Sequence, residues 1–218
     1  MPTRTFQKLD SVKKQKIIDS AIDHFAGNGY TGTSMESVAE SAGIAKGALY
    51  RYFTGKKDLF MTVVDLLVKD LEQYADQFIE SKRESNVFQT IRDHMVSFYQ
   101  LYEQFSMHFK VLCNVLYQEQ IDFKGEVLAK FGKLTTHYTR LILQHGIARG
   151  EIQDDIDLEA AAFIVDCVMD RFHDGILIPY MDHGYGLFQQ PQAVIERKAD
   201  LIVESFRRAF GKSLEVSG

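Results

Sequence analysis

The sequence predicts an all-α protein of about nine helices, in which a small three-helix amino-terminal domain with a helix-turn-helix precedes a larger helical body. Two observations predict it. Apolar residues recur three and four positions apart along nearly the whole chain, and only 3 prolines among 218 residues interrupt the pattern. Near the amino terminus two short periodic segments flank Gly43, the signature of two helices joined by a tight glycine turn. With 45% hydrophobic residues the chain has enough apolar surface to bury a substantial core.

Residues 1–10 lack periodicity and read as a frayed arm. A helix is predicted from Ser11 to about Asn28, with Ile17, Ile18, Ala21, Ile22 and Phe25 as its buried stripe and Gly29 closing it. Thr33 followed by Glu36 reads as a capping box that opens a second helix with Val38, Ala39 and Ala42 inward. Gly43 turns the chain, and Ile44 to Phe53 form a third helix with Ile44, Leu49 and Phe53 inward. That helix shows Lys46, Gly47, Ala48, Tyr50, Arg51 and Tyr52 to solvent. Gly47 costs a helix roughly 1 kcal/mol relative to Ala, which close approach of another backbone would offset. Hydroxyl-bearing rings beside cations suit thymine methyls, base edges and phosphate oxygens. Lys56 and Lys57 then sit in the first turn of the next helix, where the dipole disfavours cations and an incoming phosphate would favour them.

The run GYTGTSMESVAESAGIAKGALYRYFTGKKDLF, Gly29–Phe60, resembles the DNA-binding domain of TetR-family transcriptional regulators. The likeness is gapless over roughly 50 residues from Lys16 onward and includes the G, KG, LY, YF and K-x-LF landmarks of the family. By that resemblance Lys46, Gly47 and Tyr50 correspond to positions that approach bases, and Thr33, Tyr52 and Lys56 to positions at phosphates. Arg51 is open to either use, and Ser34 and Ala48 complete the expected set. The resemblance implies a helix-turn-helix DNA-binding domain over residues 1–55 and a ligand-binding and dimerisation domain over residues 56–218. It further implies a homodimer on a palindromic double-stranded operator, released by a small effector; no catalytic residue or cofactor is expected, and no tight His, Cys and Asp spacing points to a metal.

The net charge of −5 is unevenly distributed. Residues 1–57 hold nine Lys and Arg against five Asp and Glu, and the rest of the chain holds 16 against 25. A basic end on an acidic body presents one end to a polyanion. No stretch reaches the roughly 18 consecutive apolar residues of a membrane span, and the amino terminus lacks an apolar signal core, so a cytoplasmic location is expected. Cys113 and Cys167 lie in apolar helical runs without C-x-x-C spacing and read as buried thiols.

Beyond the turn a fourth helix is predicted from Lys56 to about Ser81, a rod able to carry a displacement, followed by a polar linker over residues 82–86. Helices then follow over Val87–Phe105, around Phe109–Leu116, from Val127 to Gly150, from about Leu158 to Ile178 with Asp157 as N-cap and Pro179 as stop, and from Pro191 to about Phe210. The body is rich in aromatics, and Phe98, Tyr102, Phe105, Phe109, Phe131, Tyr138, Asp166, Met169 and Phe172 are its candidate ligand-pocket residues. Asp166, Asp170 and His173 share one helical face, suited to orienting a ligand or to an ion-pair network with Arg171. The last two helices hold more apolar surface than one bundle needs, and a four-helix interface with a second copy would bury it. A helical enzyme or carrier and a helical interaction scaffold are the competing classes. No nucleophile and base pair, phosphate loop or metal motif supports the first of these.

Overall fold

The computed structural model describes residues 2–118 and 120–212. Among the described residues it holds ten α-helices and no strand. They are α1 (Arg4–Gln7), α2 (Ser11–Gly32), α3 (Met35–Ser41), α4 (Lys46–Tyr52), α5 (Lys56–Ser81), α6 (Val87–Gln104), α7 (Ser106–Cys113), α8 (Lys124–Ala148), α9 (Leu158–Leu177) and α10 (Gln192–Phe210). A π-helical stretch, Asn114–Gln118, follows α7, and a 3-10 turn, Pro179–Met181, follows α9. No described helix is long and apolar enough to cross a membrane. The chain divides into two compact units, one formed by Met1–Gln73 with Gln104–Gly132, the other by Tyr74–Glu103 with Lys133–Gly218.

In the first unit Ile17, Ala21, Phe25, Val38, Leu49, Phe53, Leu59, Phe60 and Val63 make a continuous core, joined by Val111 of α7, by Val115 just after α7 and by Val127 and Phe131 of α8. Three short helices alone bury little surface, so this recruitment matters. Gly29 interrupts α2 at φ 68°, a left-handed value that costs glycine little, and Gly43 takes the same value between α3 and α4. The cap of α3 differs from expectation: Ser34, not Thr33, is the N-cap, its hydroxyl accepting from Ser37 N–H at 3.0 Å while Ser37 answers the Ser34 N–H at 3.3 Å. The first ten residues also differ from the expected arm. Phe6 is buried against Phe53, 4.7 Å between ring centroids, and Thr3 N–H donates to the Tyr52 carbonyl at 2.9 Å.

In the second unit Val87, Phe88, Ile91 and Met95 of α6 pack with Leu143, Val165, Met169, Phe172 and the inner face of α10. The loop after α8 is tied down by Glu151, whose carboxylate accepts from the Val87 N–H at 2.6 Å and pairs with Arg149 at 3.1 Å. The expected N-cap holds: Asp157 accepts from Ala160 N–H at 3.0 Å. Within the subunit α9 is not covered on every side: Phe163 is 70% exposed and Ile164 44%. Cys167, read as a buried thiol, is exposed, and Cys113 is half-buried. Both exposures share a cause. Helical spacing reports which residues are apolar, not how many helices one subunit has available to cover them.

Gly146 faces Val87 and Ile152, and a Cβ there would lie 2.9 Å from their side-chain atoms. Gly146→Ala is expected to overpack this contact and lower unfolding stability by about 1–3 kcal/mol, measured by chemical denaturation. Gly47→Ala, with nothing within 4 Å of its added Cβ, serves as the unstrained comparison.

Candidate functional site

The seven residues of α4 divide by face. Leu49 and Tyr52 are buried, as is Phe53 at its C-cap, while Lys46, Gly47, Tyr50 and Arg51 are exposed and Ala48 is half-buried. Four residues advance a helix by about one turn, so Lys46 with Tyr50 and Gly47 with Arg51 form two adjacent outward rows. The Lys46 ammonium pairs with Glu36 of α3 and stands 6.0 Å from the centroid of the Tyr50 ring. At the other end the Thr3 hydroxyl donates to the Arg51 carbonyl at 2.8 Å, fixing the last turn from behind.

Three of the expected contact residues are engaged inside the subunit. Thr33 is 3% exposed, and its hydroxyl lies 2.6 Å from the Gly29 carbonyl and 2.9 Å from that of His24. Lys56 Nζ donates to the carbonyls of Tyr30 at 2.7 Å and Thr33 at 2.9 Å, 4.4 Å from the centroid of the Tyr30 ring. Tyr52 is 5% exposed, its ring 6.1 Å from that of Phe6. The solvent-facing side chains expected at Thr33 and Tyr52 are therefore corrected: both pack inward, and Lys56 caps the end of α2. Ser34 remains exposed, its hydroxyl spent on the α3 cap.

The candidate pocket residues divide between the units. Phe105, Phe109 and Phe131 belong to the first, half-buried except for the buried Phe131. Phe98, Met169 and Phe172 are buried in the second, with Tyr102, Tyr138 and Asp166 half-buried. Tyr138 donates its hydroxyl to Asp76 at 2.5 Å, and Asp166 accepts from the Thr139 hydroxyl. The Arg171 network expected along α9 does not form: its guanidinium reaches His183 at 2.9 Å instead. What the aromatic pattern understated is a histidine pair. The His173 ring stacks on Phe98 at 3.6 Å between centroids and 7° between planes, and His94 meets it nearly perpendicular at 5.5 Å. The signal in sequence is the spacing of His94 four residues before Phe98 and of His173 beside Phe172.

Burial pushes His94 down to about 4 and, with the nearby His94 ring, holds His173 well below the usual imidazole range, so both are neutral at physiological pH. Asp170, exposed on the flank of α9, moves the other way, raised to about 6 by partial desolvation and by the neighbouring charges of Asp166 and Asp174. An aspartate in an unfolded chain titrates near about 3.9, so folding raises this pKa and the ionised carboxylate opposes folding. The penalty is full above pH 6 and is relieved as pH falls from about 6 to about 4. Asp170→Asn is therefore expected to raise the thermal midpoint at pH 8, with the gain over wild type closing by about pH 4, read from melts across that range.

Residues 17–63 match the family model described as bacterial regulatory proteins, tetR family. The chain is 25% identical over 196 residues to the Escherichia coli (strain K12) protein described as "Probable acrEF/envCD operon repressor", covering 87% of this chain and 86% of that one. It is 27% identical over 168 residues to the fatty acid metabolism regulator protein of Bacillus subtilis (strain 168), covering 73% and 80%. Among solved structures, a TetR family transcriptional regulator from Chloroflexus aurantiacus J-10-FL superposes with a TM-score of 0.63 at 24% identity, covering 98% of this chain and 100% of that one. Residues 17–63 thus carry a helix-turn-helix of the tetR-family type, in an all-α chain that aligns with regulators of that family over most of its length.

Proposed function

We propose that the protein is a homodimeric repressor that reads the two halves of a palindromic operator with paired copies of α4 and is released by a small, largely apolar or aromatic effector. In this reading residues 1–55 are the DNA-binding domain and residues 56–218 the ligand-binding and dimerisation domain. The observation that carries it is the exposed face of α4, where Lys46, Gly47, Tyr50 and Arg51 stand outward on a helix anchored by Leu49, Tyr52 and Phe53. Gly47 strengthens it. Nothing lies within 4 Å of a Cβ added there, so the subunit itself does not call for glycine, whereas a DNA backbone or base edge at close range would.

Lys46 and Tyr50 approach bases, Arg51 serves bases or phosphates, and Ser34 and Ala48 border the contact. Thr33, Tyr52 and Lys56 support the surface from within. Two helices of this length about 34 Å apart meet successive major grooves on one side of the duplex. The exposed Phe163, Ile164 and Leu201 side chains of α9 and α10, at 70%, 44% and 66%, supply the apolar surface for pairing with the same helices of a second copy. The operon-repressor relative supports repression as the sign of the regulation. Effector and operator compete through one conformational equilibrium: the effector favours the state in which the reading helices fall out of register with successive grooves. Acting on chromosomal DNA, the protein works in the cytoplasm.

A duplex selected from a random pool is expected to shift in a low-salt mobility assay and to contain an inverted repeat. Failure of every duplex, including those flanking the protein's own gene, overturns the reading. Lys46→Ala and Tyr50→Ala are each expected to weaken operator binding by about 10- to 100-fold with helicity and dimerisation intact. Gly47→Ala is expected to raise stability by up to about 1 kcal/mol while weakening the same duplex, a pair of opposite signs that a purely structural glycine would not give. Phe163→Glu with Leu201→Glu is expected to convert the dimer to monomer in sedimentation.

A further inference from the structure

In the second unit, His173 Nε2 is a buried side-chain nitrogen with no hydrogen-bond partner, and among the described residues no other side-chain nitrogen or oxygen shares that condition. Around it stand aromatic rings: Phe98 stacked at 3.6 Å, His94 edge-on at 5.5 Å, Phe172 at 6.2 Å, with Phe78 a further 5.6 Å beyond His94. An orphaned buried polar group destabilises a protein, and a Phe at this position would fill the stack without that cost. Folding therefore does not account for the imidazole. A partner group brought by a guest does.

We propose that the effector is an uncharged, largely apolar molecule bearing a hydroxyl or carbonyl group, and that this group hydrogen-bonds His173 Nε2 inside the Phe98, His94 and Phe172 cluster. The proposal rests on the effector-released reading above and specifies its ligand. A neutral imidazole nitrogen either accepts from a hydroxyl or donates to a carbonyl, so one small polar group of either kind satisfies it in the matching tautomer. A carboxylate fits poorly, because a negative charge among aromatic rings, with Asp166 and Asp170 on the same face of α9, loses hydration and gains no counter-ion. His94, His173 and Phe78 each keep part of their surface accessible while Nε2 is covered, so in this proposal a guest reaches Nε2 through a rotamer change of one of these rings.

The test uses the full-length protein with four probes that share a ring system: 2-naphthol, 2-acetylnaphthalene, 2-methylnaphthalene and 2-naphthoate. Dissociation constants come from calorimetry and the His173 Nε2 resonance from ¹⁵N-histidine labelling. The expected result is that naphthol or acetylnaphthalene binds at least about tenfold tighter than methylnaphthalene, the worth of one hydrogen bond to a buried partner, with naphthoate weakest. Binding of the tighter probe moves the Nε2 resonance. In His173→Phe the preference disappears while methylnaphthalene affinity is kept, and His173→Gln, which retains a polar terminus, preserves part of the preference and covers the case of a misfolded Phe variant. Equal affinities, no binding by any probe, a preference that survives His173→Phe, or an Nε2 resonance unmoved because a fixed water holds it would each overturn the proposal. Operator binding measured without probe separates the two levels: a protein that shifts its duplex but fails these tests loses only this inference, whereas one that shifts no duplex loses the regulatory reading itself.

Discussion

A helix of seven residues does not stand by itself in water, where even favourable sequences need about 12–15 residues, and α4 is the shortest element on which function is asked to rest. Its conformation is imposed by burial. Leu49 and Phe53 are wholly inside the core of the first unit, and Tyr52 is nearly so. Because inward positions fall at 49, 52 and 53, the remaining rows at 46/50 and 47/51 have nowhere to go but outward. The outward face is thus a consequence of the inward one. Anything that loosens Leu49 or Phe53 blurs the positions of Lys46 and Tyr50 together.

That core is held by a second constraint, at the break in α2. Where Gly29 leaves helical geometry, the carbonyls just before it lose the N–H groups four residues on that a continuing helix would offer. Donors from elsewhere take their place. Asn114 gives its amide to the carbonyls of Phe25 and Ala26 at 3.1 and 3.0 Å, the one Thr33 hydroxyl proton is shared between the carbonyls of His24 and Gly29, and past the break the Lys56 ammonium donates to those of Tyr30 and Thr33. Side chains that look like solvent or phosphate residues in sequence are thereby spent inside. A lysine in the first turn of α5, unfavourable for its own helix, is favourable for the end of α2, where the dipole has the opposite sign.

These details mark the limit of what the sequence made legible. Helix positions were readable because the apolar spacing of α2, α5 and α9 and the punctuation at Gly43, Asp157 and Pro179 are local signals. The outward residues Lys46, Gly47 and Tyr50 followed from the same periodicity. Whether Thr33 or Ser34 caps α3 did not, since adjacent hydroxyl residues differ only in which one the backbone turns outward. Nor did Thr3 and Phe6, whose partners Tyr52 and Phe53 lie more than forty positions away. A contact of that separation leaves no periodic trace. Lys56 was misread for a similar reason: charge predicts a need for a partner but not that the partner is a set of carbonyls across the fold.

The same reasoning explains why α9 carries three kinds of face. Val165, Met169, Phe172 and Ile176 point into the core of the second unit. At about 100° per residue, Asp166, Asp170 and His173 lie one position round from that stripe, and Phe163 and Cys167 lie two positions back, on nearly the opposite side. A helix serving one subunit needs a single apolar stripe with a polar back. Here the back is apolar too, and the flank holds an imidazole whose Nε2 has no hydrogen-bond partner beside a carboxylate raised toward neutrality. Each departure costs stability in an isolated subunit, through exposed apolar area on one side and unsatisfied polar groups on the other. The two costs call for different remedies, a second copy against Phe163 and a small polar group against His173, so α9 is where pairing and ligand occupancy would act on one rigid element.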